Sequence, residues 1–303
     1  MTATDATLLE SPSAESVRRT VNGVDLHVVT AGDPADPLVV LLHGFPDFWY
    51  GWRHQIPALV DAGFRVVVPD QRGYNLSEKP RRLDAYRMRE LSRDVVELVA
   101  AEDRDRAHVI GHDWGAAVAW DLALRHPESV DRLGIINVPH PAVMRRALRS
   151  NPRQLLRSWY MFAFQIPRVP ELFLGRDDAR GMLDVLEESA NPGAFTDEDL
   201  AHYRDAWRRQ GSIRGAVNWY RALVRRPDEP PRETVDAPTL VVWGDEDVAL
   251  LPKLAAESVG YCTDGRLERI PWASHWVHDE EPDRVNDALI AHLKAEPESG
   301  SDD

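Results

Sequence analysis

Apolar and polar residues follow two different periods along this chain. Short, β-branched apolar runs recur at 38–42, 64–68, 107–110, 133–136, 239–243 and 266–270. Most are nearly continuous, as expected of parallel strands buried on both faces. Residues 24–30 alternate instead, as in a half-exposed strand, and Asn22-Gly23 is a turn signal that pairs them with 16–21. Amphipathic segments such as 89–101 fit the helices of βαβ crossovers. The pattern predicts an α/β protein with a mostly parallel, eight-stranded sheet and helices on both faces.

The strand signal stops after Pro141 and returns after about Pro231. Between them lie helix-forming segments at 154–165, 177–189, 197–210 and 213–225, punctuated by prolines. This predicts an all-helical cap inserted after the sixth strand, over the carboxyl ends of the strands, where open α/β sheets bind ligands. The expected division is a core of 15–141 and 232–295, a cap of 142–231, and disordered polar tails at 1–14 and 296–303.

Composition narrows the function classes. With 43% hydrophobic and 28% charged residues the chain is an ordinary globular one, and its net charge of −14 argues against a nucleic-acid partner. Cys262 is the single cysteine, which excludes an intrachain disulfide and a thiolate metal cluster. No basic-then-apolar leader opens the chain, and the apolar run at 38–42 is far too short to span a bilayer. A cytoplasmic protein without membrane partners is the expectation.

The chemistry concentrates at Gly111-His112-Asp113-Trp114-Gly115, between a β-like run and the helix-forming 116–123. Small residues two positions either side of a nucleophile, at a strand-to-helix turn, form a nucleophile elbow. The residue presented here is Asp113 rather than serine. A carboxylate is already ionised at neutral pH and suits attack on an sp3 carbon with a leaving group or a strained ring. The bland alternative is that Asp113 caps the following helix.

An ester formed on Asp113 must then be cleaved, which calls for a histidine and an orienting acid, later in the chain and in the order acid, histidine. After the strand at 239–243 come Asp245, Glu246 and Asp247; Asp247 has the favoured spacing, three residues after Gly244, and Asp245 is the runner-up. His275 follows the last strand, with His278 as its rival. The pair His275-x-x-His278 could also be taken for metal ligands, but no third ligand is adjacent in sequence, so no metal is expected. His43-Gly44-Phe45-Pro46 follows the strand at 38–42, so the amides of Phe45 and Trp114 are the expected oxyanion donors. The loop 70–77 reads as structural, with Asn75 tolerating a left-handed conformation.

With these residues assembled, the chain resembles the epoxide hydrolases of the α/β-hydrolase superfamily over almost its whole length. His43-Gly44-Phe45-Pro46 resembles the family's HGxP motif, residues 111–115 its aspartate elbow, and Asp247 and His275 its charge-relay acid and base. Ser158-Trp159-Tyr160 and Asn218-Trp219-Tyr220 resemble the two cap segments that each carry a tyrosine. The resemblance implies that Tyr160 and Tyr220 protonate the epoxide oxygen, with Tyr203 in reserve, and that Phe45, Trp114, Phe164 and Trp276 line the substrate pocket. It implies a small apolar epoxide and water as partners, no cofactor, and a monomer or homodimer. A haloalkane or haloacid dehalogenase shares the Asp-His-Asp logic and is the nearest alternative; Trp114 suits halide binding, but Phe45 offers no side-chain donor. A non-catalytic binding protein is the alternative of another class.

Overall fold

The computed structural model describes residues 14–295, so the tail expectations for 1–13 and 296–303 fall outside the described residues. One eight-stranded sheet runs in the order β1-β2-β4-β3-β5-β6-β7-β8. The strands are β1 (Glu15–Val21), β2 (Val24–Ala31), β3 (Leu38–Leu42), β4 (Arg65–Pro69), β5 (Ala107–His112), β6 (Val130–Ile136), β7 (Thr239–Gly244) and β8 (Gly265–Ile270). The β1–β2 and β2–β4 pairings are antiparallel, and every pairing from β4 to β8 is parallel. The first hairpin is as tight as its turn signal predicts: Val21 faces Val24, and Asn22 and Gly23 both take positive φ.

Helices α1 (Gln55–Asp61), α2 (Met88–Ala101), α3 (Trp114–Arg125), α11 (Lys253–Val259), α12 (Val277–Glu280) and α13 (Pro282–Lys294) accompany the sheet. α2 packs on α3, and α1 on α13. All five residues of β3 are buried, which is why that strand reads as a continuous apolar run. The edge strand β1 keeps alternate residues exposed.

Between β6 and β7 the structure is helical: α4 (Pro141–Ser150), α5 (Pro152–Arg157), α6 (Trp159–Ala163), α7 (Val169–Leu174), α8 (Arg176–Ser189), α9 (Asp197–Arg208) and α10 (Ser212–Arg225). Two expected helices differ in detail. The segment 154–165 breaks at Ser158 into α5 and α6. In α8, Asp177, Asp178 and Ala179 take positive φ of 45°, 62° and 66°, so regular helix starts only after them. Helix α9 begins with a capping box in which Thr196 and Asp199 satisfy each other's backbone amides.

Candidate active site

Strand β5 hands over to α3 at Asp113, whose φ of 48° and ψ of −122° are strained for a residue with a side chain. The close crossing of strand and helix demands the flanking glycines: a Cβ on Gly115 would lie 1.9 Å from the Leu42 carbonyl oxygen, and one on Gly111 would lie 2.4 Å from that of Gly115. Asp113 occupies the N-cap position of α3 without a side-chain capping bond. Its Oδ1 instead accepts the Phe45 N–H at 2.6 Å, from the loop after β3. That loop is held from below by His43, whose Nε2 accepts the Gln71 amide at 3.0 Å while Nδ1 donates to the Gly44 carbonyl at 3.0 Å. The 70–77 segment is the structural frame expected: Asp70 accepts from His27 at 2.7 Å and Asn75 at 2.8 Å, and Asn75 has φ of 32°.

The loops after β7 and β8 bring the other two groups to the elbow. His275 Nδ1 donates to Asp247 Oδ2 at 2.7 Å, and its Nε2 lies 3.6 Å from Asp113 Oδ2. Asp247 is buried, and its Oδ1 accepts the amides of Ala249 at 2.7 Å and Leu250 at 2.9 Å. Asn137, directly after β6, was not foreseen: its Nδ2 donates to Asp247 Oδ2 at 2.8 Å while its Oδ1 accepts the Gly244 amide at 2.7 Å. An asparagine closing an apolar strand run and taking positive φ is the signal that marks it.

These contacts set the charges. Burial opposes ionisation of Asp113 and of Asp247, but the neighbouring His275 outweighs it and holds both carboxyls below their usual range. Burial likewise disfavours the His275 imidazolium, yet Asp247 and Asp113 on either side push it up to about 10. In the resting protein the imidazole is therefore a cation held between two carboxylates.

A cavity of about 980 Å³ opens above Asp113 and His275. Phe45, Phe164 and Trp276 line it, and so do both tyrosines: Tyr160 on α6 and Tyr220 on α10, with ring centroids 5.8 Å apart. Burial raises both phenols above their ordinary range, and the Asp113 charge adds to it, so both stay protonated. Trp114 departs from the expectation that its ring lines the pocket. It packs edge-on against Tyr220 and Trp219, with centroids 4.9 and 5.7 Å apart. Helix α5 is tied to the loop of the acid: Arg157 donates to the carbonyl of Asp247 at 2.7 Å, and Gln154 donates to that of Ala249 at 2.8 Å while accepting the Leu251 amide at 3.0 Å.

The remaining sequence candidates lie elsewhere. Asp245 pairs with Arg269 at 2.7 Å, and Glu246 is exposed. Tyr203 is fully buried and donates to Asp47 at 2.9 Å. His278 packs against His112 instead, with ring centroids 4.2 Å apart and the planes tilted by 47°. No helix among the described residues is long and apolar enough to cross a membrane.

A family profile described as alpha/beta hydrolase fold matches residues 37–282. The AB hydrolase superfamily protein YfhM of Bacillus subtilis is 46% identical over 275 residues, covering 90% of this chain and 96% of that protein. Epoxide hydrolase A of Mycobacterium tuberculosis is 35% identical, covering 90% of this chain and 95% of its own length. Among solved structures, a Bacillus megaterium epoxide hydrolase in complex with an inhibitor superposes with a TM-score of 0.86 at 31% identity, over 92% of this chain and 100% of the other. Fold, site order and relatives agree, and the chain belongs to the α/β-hydrolase fold family as one of its epoxide hydrolase-like members.

Proposed function

We propose that this protein hydrolyses epoxides to vicinal diols through a covalent ester on Asp113, with residues 142–231 acting as a cap over the site. The observation that carries the reading is the pair of protonated tyrosines sharing one cavity with an ionised aspartate. Asp113 Oδ2 attacks a ring carbon; the C–O bond breaks, and its electron pair passes to the ring oxygen, which takes a proton from Tyr160 or Tyr220. A phenol suits this step, since it stays protonated at neutral pH yet is more acidic than the alcohol formed.

Asp113 Oδ1, already bonded to the Phe45 amide, becomes the carbonyl oxygen of the ester. The expected partner amide is that of Trp114. Esterification removes the Asp113 charge, so the His275 proton is no longer held from that side and returns, through solvent, to the tyrosinate. Neutral His275, oriented by Asp247, then takes a proton from water as the water oxygen attacks the ester carbonyl. Collapse expels the diol alkoxide, which His275 protonates; the Asp113 carboxylic acid left behind then passes its proton to His275, which restores the carboxylate and the imidazolium.

The dehalogenase alternative needs a second side-chain N–H beside the Trp114 indole to hold a halide, and Phe45, at the position after Gly44, offers none. Single-turnover reaction of an epoxide in heavy-oxygen water tests the proposal. The first diol should carry an oxygen from Asp113, with solvent label entering the carboxylate. Label passing straight into the first diol would exclude the ester, and halide release without epoxide turnover would make the enzyme a dehalogenase.

A further inference from the structure

The sequence pair His275-x-x-His278 is divided by the fold, and His278 belongs to a second cluster on the far side of the His275 backbone. Asp47, His112 and His278 are 1%, 0% and 0% exposed, and one ligand atom from each lies within 4.8 Å of the others. They come from three separate segments: the loop after β3, the end of β5 and helix α12. We propose that Asp47, His112 and His278 form a buried site for one divalent transition-metal ion of the zinc class.

The hydrogen-bond pattern is that of metal ligands. His112 Nε2 lies 2.9 Å from the His275 carbonyl; a carbonyl only accepts, so Nε2 carries the hydrogen and Nδ1 presents its lone pair. That Nδ1 has no hydrogen-bond partner in the structure. A ligating histidine is characteristically oriented this way, by giving its other N–H to a carbonyl or carboxylate. His278 has no hydrogen-bond partner at either ring nitrogen, though its Nε2 lies 3.4 Å from Asp279 Oδ2. Asp47 uses Oδ1 to accept from Tyr203 and the Phe48 amide, which leaves Oδ2 buried and without a partner. Buried polar atoms are rarely left so, and here three converge.

Charge points the same way. Around the cluster, Asp47, Asp279 and Asp199 face one guanidinium, Arg53, which lies 2.6 Å from Asp279 and 3.1 Å from Asp199. With Asp47 ionised as a ligand, the carboxylates around the cluster outnumber this one guanidinium, which suits the site to a cation. Two imidazoles and a carboxylate match zinc-class ions, with the remaining position open to water. The ion would touch no residue of the cavity lining and would act on His275 only by fixing its backbone carbonyl through His112.

The test uses full-length protein stripped with a chelator, then given one equivalent of Zn²⁺ or Co²⁺ either in the native state or during refolding. We expect one ion per chain to survive desalting in at least one arm, with a higher melting temperature and a visible Co²⁺ spectrum of low-symmetry coordination. His278→Gln and Asp47→Asn should lose retention and spectrum, while His275→Gln keeps both. X-ray absorption of the metal-loaded wild type, which needs no variant to fold, should show two imidazoles and a carboxylate oxygen. Failure of both loading arms, equal retention by His278→Gln, or a metal environment without imidazole would each overturn the site.

Discussion

Replacing Asp113 by asparagine imitates the charge of the ester without any substrate, and so isolates the step in which the base is released. Asparagine keeps the shape of the side chain and an oxygen for the Phe45 amide, but removes the anion that lies 3.6 Å from His275 Nε2. At that distance, with an effective dielectric constant of about 20, one unit charge is worth about 4–5 kcal/mol, or about three pKa units. Since Asp113 and Asp247 together push His275 up to about 10, the variant should titrate near about 7, where a general base works best at neutral pH. Nitrogen chemical shifts of isotope-labelled histidine, followed against pH, measure this directly, with His275→Gln identifying the resonance among the eleven histidines. The variant should also be inactive while remaining folded. Titration of His275 at the same pH in both proteins would refute the idea that esterification switches on the base.

Three further outcomes follow from the same geometry. His275→Gln should accumulate a substrate-sized ester on Asp113, seen by intact-protein mass spectrometry, because alkylation does not need the imidazole and hydrolysis does. Tyr160→Phe with Tyr220→Phe should slow epoxide opening by about 10²–10⁴-fold in pre-steady-state alkylation, each single variant retaining part of the rate. His275 has a folded pKa raised above its unfolded value of about 6.5. Its contribution to stability should therefore be complete below that pH and fade as pH rises through about 10; the melting-temperature gap between wild type and His275→Gln should narrow accordingly.

The strands were legible because burial on both faces writes itself as unbroken β-branched runs, and β3 and β5 fall where those runs do. Asp113, Asp247 and His275 were legible because chain order and distance from strand ends constrain them before any packing is known. What could not be read is whatever depends on a partner distant in sequence. The ring of Trp114 follows Tyr220 and Trp219 rather than the cavity, and His278 turns to His112, which lies on a different strand. The break at Ser158 carries no glycine or proline signal, so helical periodicity runs straight across it, and the left-handed Asp177-Asp178-Ala179 fall inside the start of a helix whose nearest breakers are Gly175 and Gly181 on either side.

The bonds from Arg157 and Gln154 to the loop of Asp247 have a mechanical consequence. Helix α5 is fastened at three backbone positions to the segment that carries the acid, so it cannot lift away without disturbing the very residue that orients His275. It behaves as the fixed jaw of the clamp and travels with the sheet. Any widening of the entrance would have to come from elsewhere in the helical segment, whose chain departs from regular helix at Ser158 and at Asp177 to Ala179. A bulky ligand would thus be accommodated without moving the loop that carries Asp247, so Asp247 and His275 hold their alignment.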